Sequence, residues 1–328
     1  MFAVVITRPG GPEVLELREV PQPQPGPDEV LVRVRASALN RADLLQRQGR
    51  YPAPPGVPPD IPGMEFAGEV AALGENVCEW QPGDRVFGLV AGGAHAEYLL
   101  AHRQTLARIP EQFDWTAAGA IPEAFITAHD ALVTQAGLQP GERVLIHAVA
   151  SGVGLAATQL VRALEAHPYG TTRTAEKLER TRPFGLTDGA AIRDPATELA
   201  PMAERWTEGR GFNIVLDLVG GPYCAPSIAA LALKGRILLV GTVAGGRAEL
   251  DLRQVMGKRL RIMGTVLRAR PLEEKIAVMA AFSRDVLPLV AQGKVQPVID
   301  SVFPIAGIRE AHERLESNAT FGKVALIF

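Results

Sequence analysis

The sequence predicts an α/β protein of two domains: a barrel-like domain of short antiparallel strands and a doubly wound parallel sheet. Three observations point there. Residues 1–122 alternate apolar and polar positions over short stretches punctuated by proline and glycine, the pattern of half-buried strands closed by turns. Residues 123–267 switch to apolar runs separated by helical patterns, which is how parallel strands with crossover helices read. The 328 residues suit two domains and a sizeable core.

In the first stretch, Glu29-Val30-Leu31-Val32-Arg33-Val34-Arg35-Ala36 alternates like a strand with one wet face. Residues 68–74 and 83–88 read as further short strands bounded by glycine. Residues 51–62 hold six prolines in 12 positions, which predicts a stiff surface loop without regular structure. In the second stretch, strands are expected at 144–148, 168–172, 190–193, 214–218, 237–240 and 261–265, with helices notably at 154–164 and 174–182. Residues 268–328 carry a helix candidate at 272–292 and end in an apolar strand, 323–328, expected to return to the first domain. The domains are thus residues 1–122 with 268–328, and residues 123–267.

Composition excludes several classes. Hydrophobic residues make up 47% and charged residues 21% of the chain, ordinary for a soluble globular protein. A formal charge of -2 suggests neither nucleic acid nor a membrane surface as partner. No apolar run reaches membrane-spanning length, and no basic segment followed by an apolar one opens the chain, so neither a span nor a signal peptide is expected. Two cysteines, Cys78 and Cys224, cannot build a disulfide framework or a four-cysteine zinc site, and a cytoplasmic location is expected.

The chemistry sits in the second stretch. The apolar run Val144-Leu145-Ile146 leads into the glycine turn Ala150-Ser151-Gly152-Val153-Gly154-Leu155-Ala156-Ala157. Strand, glycine turn and helix form the first half of a dinucleotide-binding unit, in which glycine lets the backbone approach a pyrophosphate held at the helix N-terminus. Ser151 can give a hydroxyl to a phosphate or cap the helix, and both can hold together. About 20 residues further on, NAD-binding units carry Asp or Glu for the ribose 2′-hydroxyl. Here the stretch reads Tyr169-Gly170-Thr171-Thr172-Arg173-Thr174-Ala175-Glu176-Lys177. Hydroxyls and cations attract a 2′-phosphate that a carboxylate would repel, so the expected cofactor is NADPH. Arg173 and Lys177 also read as ordinary solvated cations, as does Arg193 at the end of the third strand candidate.

Four segments carry a resemblance: Gly63-Met64-Glu65-Phe66-Ala67-Gly68, Pro82-Gly83-Asp84-Arg85-Val86, Ser151-Gly152-Val153-Gly154 and Asp217-Leu218-Val219-Gly220-Gly221. Together they resemble the medium-chain dehydrogenase/reductase superfamily, end to end. Residues 40–52, Asn40 to Pro52, resemble its zinc-free quinone oxidoreductase branch, and Thr265-Val266-Leu267-Arg268-Ala269-Arg270 resembles the subgroup of the tumour-suppressor-inducible quinone oxidoreductase. The resemblance implies a GroES-like β-barrel catalytic domain, a Rossmann cofactor domain, an active site in the cleft between them, and a homodimer joined through the edge strands of the cofactor domains. Zinc members carry Cys near the position of Asn40 and His in place of Met64; this chain has neither. Catalytic zinc needs three protein ligands, and no metal is expected.

The resemblance also assigns residues. Asn40 is expected to orient the nicotinamide ribose or the substrate oxygen, and Tyr51 to donate a hydrogen bond or proton to the oxygen being reduced. A turn cap and a packing residue are the plain alternatives. Ser151, Gly152, Val153, Gly154, Thr172, Arg173, Lys177 and Arg193 are expected around the phosphates and adenosine. Thr127, Gly241, Thr242 and Asn318 are expected towards the nicotinamide, with Phe321 and Gly322 beside Asn318. Two departures stand out: Glu165-Ala166 where the family usually has Gly-Ala, and Arg173 where a glycine usually precedes the phosphate-loop hydroxyl. The function implied is NADPH-dependent reduction of a quinone or enone. The alternatives are an enoyl-thioester reductase and a non-catalytic NADPH-binding protein.

Overall fold

The computed structural model describes residues 1–328. The chain divides into two compact units, Met1–Ile126 with Leu267–Phe328, and Thr127–Val266. It passes from one to the other inside the helix Pro122–His129, so no linker marks the seam that the sequence placed after residue 122.

The first unit is organised around the strand Glu29–Ala38, which pairs antiparallel with Glu65–Leu73, Tyr98–His102 and Lys323–Ile327. Arg85–Leu89 and Leu106–Arg108 extend the sheet on one side and Ile299–Pro304 closes the other. The terminal strand therefore returns to this unit, as its apolar run implied. The last pair, Ile299–Pro304 with Lys323–Ile327, is parallel, the one departure from the antiparallel expectation. The central strand is also drier than its alternation suggested. Leu31 is buried along with Val30 and Val32, because the strand lies in mid-sheet and the helix Trp115–Gly119 crosses it. A Cβ on Gly119 would stand 3.0 Å from the Ala36 Cβ, so the close crossing favours glycine. Residues 51–62 form no helix or strand, in keeping with their prolines. The helix expected at 272–292 is two helices, Leu272–Asp285 and Leu287–Ala291. Pro288 explains the break: it has no N–H to continue the ladder and its ring clashes with the preceding turn.

The second unit is a six-stranded parallel sheet: β1 (Arg143–Ile146), β2 (His167–Thr172), β3 (Asp188–Ala191), β4 (Phe212–Asp217), β5 (Leu231–Leu239) and β6 (Arg261–Gly264). The order is β3-β2-β1-β4-β5-β6, all pairs parallel. This is the doubly wound Rossmann order, with its switch point between β1 and β4. Five helices connect the strands: α1 (Gly152–Ala163), α2 (Ala175–Thr181), α3 (Pro195–Thr207), α4 (Cys224–Ala230) and α5 (Leu252–Lys258). Leu145, Val215, Ile228 and Ile237 form a core with Tyr169, Trp206 and Phe212. The Tyr169 and Trp206 rings stack at 5.8 Å. β3 ends at Ala191, two residues before the end expected from the sequence, so Arg193 lies beyond the strand on the approach to α3. After α1, Glu165 adopts φ 60, a left-handed conformation that favours glycine. That geometry accounts for the glycine usual at this position in relatives, and Glu165 carries some strain for replacing it.

His147, just past β1, is fully buried between two hydroxyls. Its Nδ1 lies 2.7 Å from Thr171 Oγ1 and its Nε2 lies 2.7 Å from Ser227 Oγ. Ser227 donates its own proton to the Tyr223 carbonyl at 2.6 Å. Ser227 must then accept from Nε2–H, which leaves Nδ1 to accept from Thr171. The ring is thus neutral and ties β1, β2 and α4 together. Burial pulls its pKa from 6.5 down to about 4, against the pull of Asp217. Protons therefore bind the unfolded chain first as pH falls from 6.5, and the stability present at neutral pH is lost until about pH 4. Urea unfolding of the protein and of His147→Gln across that range checks it: the variant should show the shallower pH dependence.

Candidate active site

In the second unit, the loop from β1 to α1 folds tightly over the sheet. Ala148 takes a left-handed φ of 50, and Ser151 caps α1 by accepting the Gly154 N–H at 3.1 Å. A Cβ at Gly154 would lie 2.5 Å from the Ala148 carbonyl oxygen and 2.7 Å from that of Val149. Only glycine fits, and the backbone at the start of this 12-residue helix stays open to a close approach. Ser151, Gly152, Val153 and Gly154 thus form one cradle, whose chemistry fits a pyrophosphate: backbone N–H donors at a helix N-terminus, with no acidic residue in its first turn.

β2 delivers Thr172, buried, and Arg173, exposed, to the sheet's carboxyl edge. Thr174 caps α2 by accepting the Lys177 N–H at 3.4 Å. Arg173 lies near enough to Tyr223 to work against the burial that pushes the Tyr223 phenol up. Of the sequence-predicted cations, Arg173 thus stands in the β2–α2 turn and Lys177 in the first turn of α2. Arg193 does not join them through the backbone: its N–H donates to Glu198 at 2.8 Å in the turn before α3. At the ends of β4 and β5, Asp217 Oδ1 accepts the N–H groups of Val219 and Gly220, both at 2.8 Å. A Cβ on Gly241 would stand 2.5 Å from the Leu218 carbonyl oxygen. Gly241 is thus needed for the close approach of the two strand ends, and Thr242 is exposed beside it. Thr127 is buried in the helix Pro122–His129.

In the first unit, Asn40 stands just before the helix Arg41–Arg47. Its backbone N–H donates to Asp43 Oδ2 at 2.7 Å, but its side chain does not cap the helix. Asn40 Nδ2 donates to Glu65 Oε1 at 2.9 Å and to the Ala38 carbonyl at 3.3 Å, while Oδ1 accepts from Lys323 Nζ at 2.5 Å. Lys323 Nζ pairs with Glu65 Oε1 at 2.6 Å, and Glu65 is fully buried. Glu65 Oε2 accepts the backbone N–H of Glu123 at 2.9 Å. Asp43 Oδ1 accepts the Gly63 N–H at 3.0 Å. A buried polar network thus joins Asn40, Asp43, Glu65 and Lys323.

Tyr51 is half-buried, its ring 5.1 Å from the Arg268 guanidinium carbon. Arg268 is held on three sides: Nε donates to Ala91 O and Nη2 to Gln46 Oε1, both at 2.6 Å, and Nη1 to Tyr51 O at 3.2 Å. Burial raises the Tyr51 phenol above its ordinary value, with Arg268 opposing and Glu123 adding to the rise. The phenol stays protonated at neutral pH, a donor to any oxygen beside it. Asn318 stands apart from Tyr51 in its contacts, accepting from Arg41 Nη2 at 2.7 Å and donating to Glu316 O at 3.0 Å. Phe321 is buried, so it serves the core.

Sequence reasoning missed Lys323, Arg268 and Glu123 as site residues and treated Glu65 only as part of a motif. One signal was present: a lysine opening an otherwise apolar strand needs a buried partner. No group of three or more His, Cys, Asp or Glu side chains is disposed to hold a metal ion, and no helix is long and apolar enough to cross a membrane.

Comparison with known proteins accords with this architecture. Residues 26–111 match the alcohol dehydrogenase GroES-like domain and residues 189–326 the zinc-binding dehydrogenase family. A human protein named quinone oxidoreductase is 32% identical over 332 residues, covering 100% of this chain and 98% of its own. A mycobacterial structure solved in complex with NADPH superimposes with a TM-score of 0.89 at 29% identity, covering 100% of both chains. The CurK enoyl reductase structure superimposes with a TM-score of 0.86 at 27% identity, covering 99% of this chain and 98% of that one.

Proposed function

The chain belongs to the medium-chain dehydrogenase/reductase superfamily and is an oxidoreductase, and from that premise we propose that it reduces a quinone or another conjugated carbonyl with NADPH and without a metal ion. Thr127–Val266 is the cofactor domain in this reading, and the remainder of the chain is the catalytic domain. The observation that carries it is the β2–α2 turn and the first turn of α2, where Arg173 and Lys177 stand with threonines and the ribose carboxylate of NAD-binding units is replaced. The glycine cradle at Ser151–Gly154 holds the pyrophosphate, and Gly241, Thr242 and Thr127 border the nicotinamide. NADPH supplies the hydride when bound.

The chain's own groups then have only to polarise and protonate. A quinone or enone spreads the developing negative charge over its conjugated system, so hydrogen bonds can serve where a saturated ketone needs a Lewis acid. Tyr51 donates to that oxygen. Asn40 takes the ribose rather than the substrate. Both its amide hydrogens are engaged by Glu65 and Ala38, so what it has left to offer is an acceptor, which suits a ribose hydroxyl and not a carbonyl. Asn318 has its amide tied to Arg41 and Glu316, so its part is to shape the carboxy-terminal segment.

Tyr51→Phe is expected to lower turnover about 10²-fold with NADPH affinity nearly unchanged, the usual scale for one lost oxyanion donor. An unaltered rate removes Tyr51 from the mechanism. The substrate class is tested by NADPH oxidation with 9,10-phenanthrenequinone, a simple enone, a 2-enoyl thioester and a saturated ketone. Turnover of the first two and not the last is expected. A thioester preference moves the assignment to enoyl reduction, the reading favoured by the CurK likeness.

We also infer a homodimer and a cytoplasmic location. β6 is the last strand of its sheet and exposes Ile262, while α5 just before it exposes Leu252 and Met256 one turn apart. A second copy pairing edge to edge covers all three. Cys78 is exposed and Cys224 buried, both as free thiols, which suits a reducing compartment.

A further inference from the structure

We propose that Glu123 is the acid that protonates the substrate oxygen, a role that rests on the carbonyl-reductase reading above. Glu123 lines a pocket open to solvent within the catalytic domain. The walls are mostly apolar, with Met64, Leu89, Leu267 and Met279 among them, and Glu123 is the one carboxyl in the lining. An apolar wall with one polar group suits the face of a conjugated ring, whose oxygen would then meet Glu123.

The surroundings keep the proton on this carboxyl at neutral pH. Glu123 stands on the helix Pro122–His129 with its own N–H bound to Glu65. Glu65 and, more weakly, Asp43 present negative charge to it; Lys323 and Arg268 present positive charge, each pulling less strongly than Glu65 pushes. Lys323 is already paired with Glu65 and Asn40, and Arg268 with Ala91, Gln46 and Tyr51. Burial is the largest cause, the Glu65 charge adds to it, and together they push the Glu123 carboxyl up to about 8. Lys275 borders the same cavity, its ammonium pushed down by burial and by Arg268. Tyr51 is a further proton-bearing group nearby, but its phenol is raised from 10. A general acid works best with a pKa near the working pH. Tyr51 therefore holds the oxygen by a hydrogen bond, and Glu123 gives the proton.

The step balances with the reductant already named. Bound NADPH would supply the hydride to the conjugated system and would leave as the oxidised, positively charged nicotinamide. The electron pair displaced on the substrate comes to rest on its oxygen. The Glu123 O–H bond breaks, an O–H bond forms on that oxygen, and Glu123 is left as carboxylate. It recovers a proton from water at the cavity mouth, so each turnover consumes one NADPH, one proton and one carbonyl.

Glu123→Gln keeps the size and the neutral charge but has no proton to give, and urea unfolding near pH 7 confirms that it folds. At about pH 7 its turnover is expected to fall ~10²- to 10⁴-fold, with NADPH affinity within a few-fold of the parent. The parent's rate should fall as pH rises through about 8, and this limb should be absent in Glu123→Gln and present at a lower rate in Glu123→Asp. Independently of turnover, infrared difference spectra of the cofactor-free protein should show a protonated-carboxyl band that disappears through about pH 8 and is missing in Glu123→Gln. A Gln variant with the parent's rate and limb, or no titrating band, overturns the proton role while leaving the reductase reading intact. No turnover by the parent with any conjugated carbonyl overturns the reductase reading, and the proton role falls with it.

Discussion

Replacing Arg173 and Lys177 together by Ala is expected to weaken NADPH binding about 10²- to 10⁴-fold and NADH binding by no more than a few-fold. Each charge-assisted hydrogen bond to a phosphate is worth about 1.5–3 kcal/mol, and two of them give that ratio at ~1.4 kcal/mol per decade. Only NADPH carries the 2′-phosphate, so only its affinity should move. Arg173 is exposed and Lys177 half-exposed, so their truncation opens no core. The α2 cap uses the Lys177 backbone rather than its ammonium, so the substitution leaves that cap in place. Fluorescence titration of both cofactors checks this. Equal losses for NADH and NADPH would mean that these cations act on the shared part of the dinucleotide and that the selectivity lies elsewhere.

The second large effect concerns the buried pair beneath Asn40. Lys323→Met is expected to cost about 3–5 kcal/mol of folding stability, because it leaves the Glu65 carboxylate buried without its cation. Glu65 is fully buried and the Lys323 side chain 6% exposed, with 2.6 Å between their charged atoms, so solvent cannot make good the loss. Asn40 loses the partner of its Oδ1 in the same step, and its amide is free to turn. Glu65→Gln placed on the Lys323→Met background should recover much of the stability, since a neutral amide can still accept the Glu123 N–H. Urea unfolding of the four proteins of this cycle measures the coupling. A loss below about 1 kcal/mol for Lys323→Met, the range of a solvated surface pair, would mean that water reaches the pair.

How much was legible in the sequence depended on how local each signal was. The Rossmann unit was readable because its strand, glycine turn, helix and second strand end follow one another within about 30 residues. The turn residues and the cations after β2 belong to that one stretch. Strand ends were less legible. β3 was read to Arg193 but stops at Ala191, because the chain there turns to place Asp194 as the cap of α3. The long helix after residue 271 was read through Pro288, which divides it.

The buried polar cluster was the least readable part, for a topological reason. Asn40 follows the central strand, Glu65 opens its neighbour, and Lys323 opens a strand from the far end of the chain that pairs with the same central strand. Glu123 and Arg268 arrive from two further segments. Nothing in the sequence links positions 40, 65, 123, 268 and 323 until the sheet is formed. Asn40 and Tyr51 could be named only by resemblance, and their surroundings change what Asn40 can do: with both amide hydrogens engaged, it accepts rather than donates.

The central claim is that this chain is a metal-independent reductase of conjugated carbonyls that selects NADPH by the cations between the end of β2 and the first turn of α2. The most direct measurement is the oxidation of NADPH and of NADH in parallel with 1,2-naphthoquinone, in the presence and absence of a strong chelator. The account predicts turnover that favours NADPH and is indifferent to the chelator. Turnover that favours NADH, or that the chelator abolishes, would contradict it.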